Sequence, residues 1–188
     1  MQKTIGISEL DLIKGCKSGD LKAQELLYKQ FYGYAMGVAL RYLSNRDDAM
    51  EVVNDSFIKA FKGIRFFNDN QPFRAWLRRI IVNTSIDCHR KNSKHKEQLD
   101  IEYAANEGKA AEILESLTAK DILNLLNALP DIHRMVFNLY EMDGYSHDEI
   151  AEMLTIPASS SRVYLSRAKE RLRVFLKQQE TDYERTIR

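Results

Sequence analysis

Apolar residues along this chain recur three and four positions apart and almost never alternate, which is the spacing of helices with one buried stripe. The pattern predicts helices at about 8–17, 20–43, 47–63, 73–91, 119–128, 130–142, 146–154 and 158–177, and no strand. Pro72, Pro130 and Pro157 each stand just before such a segment, where a fixed φ and a missing donor cost little. From Asn92 to Thr118 the apolar pattern weakens, and Asn92-Ser93-Lys94-His95-Lys96-Glu97-Gln98 is polar throughout. The expected fold is therefore all-α, with two small helical domains, 1–92 and 119–178, joined by a flexible linker at 93–118. The tail 179–188 lacks a packable face and is expected to fray.

Composition adds exclusions. With 44% hydrophobic and 29% charged residues in 188, the chain has ordinary globular material. Its longest apolar run, Ala35 to Leu40, falls far short of the ~18 residues of a spanning helix, so no membrane insertion is expected. Met1 to Glu9 lacks the apolar core of a secretory signal, which predicts a cytoplasmic location. Cys16 and Cys88 are too few for a disulfide framework or a zinc site. The net charge of +1 hides segregation: Asp47–Asp55 carries −4, Pro72–Gln98 carries +5, Leu99–Asp121 carries −4 and Pro157–Lys177 carries +5. Two basic blocks flanking an acidic middle suit contact with a polyanion at two places, although solvated helix faces give the same count.

The most specific local signal runs from Gly144 to Pro157. Ser146 and Glu149 form a capping box, Ile150, Ala151 and Leu154 give the short helix an apolar side, and Thr155-Ile156-Pro157 ends it. In the helix that follows, Ser161, Tyr164, Leu165, Ala168, Leu172 and Phe175 share one side, while Arg162, Ser166, Lys169 and Arg173 form a stripe on the other. Short helix, tight turn and longer helix with a basic outer stripe make a helix-turn-helix, whose second helix enters the DNA major groove. There an arginine bonds guanine bidentately, and lysine and serine reach phosphates or base edges. The competing reading is a plain helical hairpin with a solvated face.

The stretch Pro72 to Lys91 combines aromatic and basic residues. Phe73, Leu77, Ile80, Ile81 and Thr84 share the side expected to be buried. Arg79, Asn83, Ile86 and Arg90 line another, with Trp76 at its margin, and the loop Gly63–Gln71 upstream carries Phe66, Phe67 and Asn68. Aromatic faces, amide donors and positive charge together suit an unpaired nucleic-acid strand. On the helix 47–63, Asp48, Glu51 and Asp55 lie at i, i+3 and i+7. A helical-bundle metal site would need a paired Glu-x-x-His motif that is missing, so no metal or cofactor is expected. An acidic, partly apolar docking face for a basic protein partner fits better.

The motifs together resemble the extracytoplasmic-function (ECF) group of bacterial RNA polymerase sigma factors, from about Asp11 to Arg173. Asp48-Ala49 through Phe57 with Lys59-Ala60-Phe61 resembles the helix that grips the polymerase clamp helices. Phe73-x-x-Trp76-Leu77-x-x-Ile80-x-x-Asn83-x-x-x-Asp87-x-x-Arg90 resembles the minus-10 helix. Leu129-Pro130 with Arg134, Gly144-Tyr145-Ser146, Glu149-Ile150-Ala151, Arg167-Ala168 and Leu172-Arg173 resemble the minus-35 domain.

The resemblance implies a non-enzymatic initiation subunit. Asp48, Glu51, Asp55 and Phe57 would bind the polymerase. Phe67, Asn68, Trp76, Arg79, Asn83 and Arg90 would engage the minus-10 element, with Asn83 and the loop from Phe66 to Gln71 holding a flipped base. Ser160, Arg162, Val163, Ser166, Arg167 and Lys169 would meet the minus-35 element. Implied partners are core RNA polymerase, through its clamp helices and flap, promoter DNA and an anti-sigma factor. One departure is Pro157-Ala158-Ser159-Ser160-Ser161 where many members have Ser-x-Gly-Thr-Val, leaving Ser160 as the replacement phosphate contact. Two rivals remain: a helix-turn-helix regulator that reads DNA without polymerase, and a protein that sequesters a partner.

Overall fold

The computed structural model describes residues 8–97 and 119–186, with side chains described for 8–92 and 121–178. Helices are the only regular structure among the described residues, and the chain divides into two compact units, Met1–Cys88 and His89–Arg188.

The first unit starts with α1 (Glu9–Lys17) and α2 (Leu21–Tyr42). Ser8 caps α1 by accepting the Asp11 amide at 3.1 Å, and Asp20 caps α2 by accepting the Lys22 amide at 2.8 Å. The two helices approach closely at Gly15, where a Cβ would stand 2.7 Å from that of Ala23. Asn45 caps α3 (Arg46–Gly63) through the Asp47 amide at 2.8 Å, and the carboxylates of Asp47 and Asp48 sit in its first turn, where the helix dipole favours them. A 3-10 turn, Ile64–Phe66, and a short loop lead to α4 (Phe73–Glu97). Leu27, Phe31, Val53, Phe57, Phe73, Leu77 and Ile81 form the centre of this unit, all buried.

The second unit contains α5 (Ala119–Asn127), α6 (Asp131–Phe137), a π-helical turn (Asn138–Met142), α7 (His147–Leu154) and α8 (Ala158–Thr186). Leu126, Leu129 and Ala168 pack together, flanked by Phe137 and Leu172. Arg134 is buried beside them. Its guanidinium is held by Asp131 at 2.8 Å and by Asn127 at 3.2 Å, as a buried charge requires.

Three helix ends differ from the periodicity. The backbone of α4 stays helical through Glu97 and that of α8 through Thr186, because neither extension contains glycine or proline and both are rich in good helix formers. An apolar stripe marks where a helix packs, not where its backbone stops. The predicted helix 130–142 changes to π geometry at Asn138, whose side-chain amide donates to the Arg134 carbonyl at 2.9 Å and so competes with the helical ladder. Of the predicted linker, 98–118 lies outside the described residues. No helix among the described residues is long and apolar enough to cross a membrane.

Candidate nucleic-acid and polymerase interfaces

The turn of the second unit is built as its sequence demands. Ser146 Oγ accepts the Glu149 amide at 3.3 Å, while Glu149 accepts the Ser146 amide at 2.8 Å. Those hydrogen bonds hold the Glu149 carboxyl below its ordinary pKa. Thr155 closes α7 in the left-handed region, with φ at 57° and ψ at 46°, so the chain reverses within two residues into α8. His147 Nδ1 and Ser161 Oγ, 2.9 Å apart, pin α7 to α8, and the Tyr140 ring stacks on His147 at 4.5 Å.

Along α8 the two sides separate as read from the sequence. Ser161, Leu165 and Ala168 are buried, whereas Arg162, Val163, Ser166, Arg167 and Arg173 are exposed and Ser160 is half-buried. Lys169 shares the outer stripe, but its ammonium is already 2.6 Å from Glu141. His133 of α6 lies against Tyr164, with ring centroids 5.2 Å apart. Its burial and the nearby Arg167 and Arg171 keep its pKa low.

In the first unit the loop and α4 sort the aromatic residues into two sets. Phe67 is only 4% exposed, packed edge-on to Phe73 at 5.6 Å and tilted on Trp76 at 5.1 Å. It packs in the core and supports Trp76, leaving almost no surface of its own for a base. Phe66, its neighbour, is the exposed ring. Trp76 is half-buried, and Asn68, Arg79 and Asn83 are exposed. Ile86, expected beside Asn83, is buried. Lys59 donates to Thr84 at 3.1 Å and approaches Asp87 at 3.5 Å, which ties α3 to α4 below this surface. Arg90, seven residues after Asn83 on α4, is exposed, and its guanidinium donates to the Met153 carbonyl at the end of α7.

The acidic face of α3 has Glu51 and Asp55 exposed and Asp48 half-buried, beside exposed Met50 and Ile58. Phe57 is 2% exposed and packs on Tyr28 at 4.7 Å and Phe61 at 5.8 Å. A side chain with no free surface meets no partner, so Phe57 acts on this face only by holding α3 in place. Sequence reasoning missed the Glu141–Lys169 pair and the His147–Ser161 link because both join residues on different helices. It counted Phe66 and Phe67 alike as aromatics of one loop and did not tell the exposed ring from the buried one.

A helix-turn-helix with a basic outer stripe, in a chain that also carries an aromatic and cationic helix surface, defines a helical DNA-binding protein. Comparison with known proteins refines this class. Residues 27–95 match the family model for sigma-70 region 2, and residues 119–172 match that for sigma-70 region 4. The chain is 30% identical over 176 residues to the ECF RNA polymerase sigma-E factor of Haemophilus influenzae, covering 87% of this chain and 93% of that one. To the ECF RNA polymerase sigma-E factor of Escherichia coli K12 it is 29% identical over 171 residues, covering 85% and 89%. A solved structure, the sigma factor RpoE of Bartonella quintana in complex with the anti-sigma factor NepR, has a similar fold, with a TM-score of 0.54 and 23% identity over 84% of this chain and 98% of that one. The chain belongs to the ECF RNA polymerase sigma factors and directs RNA polymerase in transcription initiation.

Proposed function

We propose that the two units divide promoter recognition between them, residues 1–92 acting as region 2 and 119–178 as region 4. Asp48, Glu51 and Asp55 on α3 dock on the clamp helices of core polymerase. Trp76, Arg79 and Asn83 with Asn68 engage the minus-10 element, and Ser160, Arg162, Val163, Ser166 and Arg167 engage the minus-35 element. The observation that carries this reading is one chain presenting an exposed amide and cations beside Trp76 on α4 and an exposed arginine–serine stripe on α8. The second suits duplex and the first suits a separated strand.

The mechanism is differential binding. Phosphate contacts from both basic surfaces position the DNA, and capture of an unstacked base near Asn83 offsets the few kcal/mol needed to unpair it. Both surfaces act at a set separation, so promoter spacing matters. The chain supplies no catalytic group and works in the cytoplasm, where the polymerase is; its regulator is an anti-sigma factor, as in the Bartonella complex.

Replacing Asn83 tests the division. Asn83→Ala should slow open-complex formation, read by permanganate reactivity of unpaired thymines, while recruitment of holoenzyme to duplex promoter in gel shifts stays near wild type. Equal loss of both would refute base capture. Tight, specific duplex binding by the free chain would favour the regulator that needs no polymerase.

A further inference from the structure

Asn68 stands between the 3-10 turn Ile64–Phe66 and α4, exposed and among the residues assigned above to the minus-10 element. Local turns order the chain on either side of it. The Phe67 amide donates to the Ile64 carbonyl at 3.1 Å, and the Gln71 amide donates to the Asn68 carbonyl at 3.1 Å. Asn68 Oδ1 accepts the Asn70 amide at 3.0 Å, which leaves its side-chain N–H donors for a ligand. Neither turn spans the peptide between Phe67 and Asn68.

Lys17 does span it. From the last turn of α1 its ammonium donates to the Phe67 carbonyl at 2.9 Å and to the Asp69 carboxylate at 2.8 Å, and it stands 5.7 Å from the centre of the Phe67 ring. The two acceptors bracket Asn68, so one cation fastens the backbone before it and the side chain after it. The anchor is itself fixed, because Leu12, Ile13 and Cys16 of α1 are buried and α1 closes on α2 at Gly15. Charge adds to the effect. Asp69 is the one acid between Lys62 and Ile86, and a carboxylate there repels a DNA strand unless a cation cancels it.

We propose that Lys17 is a positioning residue for promoter opening, presetting the segment Phe67–Asp69 so that Asn68 meets the separated strand already ordered. This rests on the assignment of Asn68 to the minus-10 element under the proposed function. Lys17 touches no DNA in this role and acts through Asn68. A preset loop binds more tightly because its backbone entropy is lost on folding and not on binding.

The test uses holoenzyme reconstituted with core polymerase, and two fluorescein-labelled promoter fragments, one fully paired and one with a mismatched bubble at the minus-10 element. Lys17→Met keeps the alkyl stem and removes the ammonium. It should weaken bubble binding about 5- to 30-fold, the range for fixing about one residue of backbone on binding, with the paired fragment and core binding unchanged. Lys17→Arg should recover most of the loss, since it restores charge and donors. Asp69→Asn separates position from charge: Lys17→Met should still weaken the bubble in that background, and wild-type affinity in the double variant overturns the proposal by reducing Lys17 to charge cancellation. The Lys17→Met loss should shrink in an Asn68→Ala background, and an undiminished loss there overturns the route through Asn68. Unchanged bubble binding by Lys17→Met, or equal weakening of both fragments, overturns the positioning role while Asn68→Ala still impairs the bubble. Bubble binding unaffected by Asn68→Ala overturns the assignment of Asn68 itself, and this proposal with it.

Discussion

Lys169 belongs to the outer stripe of α8, yet it spends its charge on Glu141, 2.6 Å away, in a pair whose side chains are 39% and 33% exposed. Such a partly exposed ion pair is worth about 0–1 kcal/mol. For Lys169 to reach a DNA phosphate it must first leave Glu141, so the proposed minus-35 contact predicts that the pair lowers promoter affinity by up to about fivefold. Glu141→Gln removes that competition and one negative charge near the DNA. Affinity of holoenzyme for a promoter duplex, measured by fluorescence anisotropy across a potassium chloride series, should rise by up to that factor. The slope of log affinity against log salt should stay nearly the same, because the phosphate contact is made in both proteins and only its cost differs. Lys169→Ala is the control: its cost should be larger in the Glu141→Gln background than in wild type. Identical affinities for wild type and Glu141→Gln, or an equal cost of Lys169→Ala in both backgrounds, would refute the reasoning.

The buried and exposed members of α3 should part company under substitution. Phe57→Ala should cost about 3–5 kcal/mol of stability by chemical denaturation, as expected for a buried phenylalanine. Asp48→Ala with Asp55→Ala should change stability little but reduce holoenzyme in native mass spectrometry, and undiminished holoenzyme would remove the docking role. His133 predicts a pH effect of definite sign. Burial and Arg167 lower its folded pKa below the ordinary value near 6.5, so the unfolded state binds its proton first. Stability should therefore fall as pH drops below about 6.5 toward the lower folded value. His133→Gln should flatten this part of the profile relative to wild type in thermal melts, and an unaltered profile would contradict it.

Much of the molecule was legible along the chain because its signals are local. A capping box needs only Ser146 and Glu149, three residues apart, and both hydrogen bonds are present. The buried side of α8 follows from a 100° rotation per residue, and Ser161, Leu165 and Ala168 lie inward as that rotation demands. Phe73 was likewise assigned to the core and is buried there. Local signals stop at helix ends: α4 and α8 run on to Glu97 and Thr186 without any apolar stripe to mark them.

Which of two adjacent phenylalanines faces the solvent is a different kind of question. Phe66 and Phe67 are equally hydrophobic, and composition treats them alike; only ring packing on Phe73 and Trp76, together with Lys17 gripping the Phe67 carbonyl, chooses Phe67 for the interior. The same holds for Phe57, which the family resemblance placed among the polymerase-binding residues and Tyr28 covers from another helix, and for Lys169, whose partner Glu141 is 28 positions away. Sequence alone determined the all-helical architecture, the caps and the basic stripe, because neighbours within a few residues decide them. Tertiary structure alone decided which of those side chains are free to meet a partner, because exposure is set by contacts between residues that the chain keeps far apart.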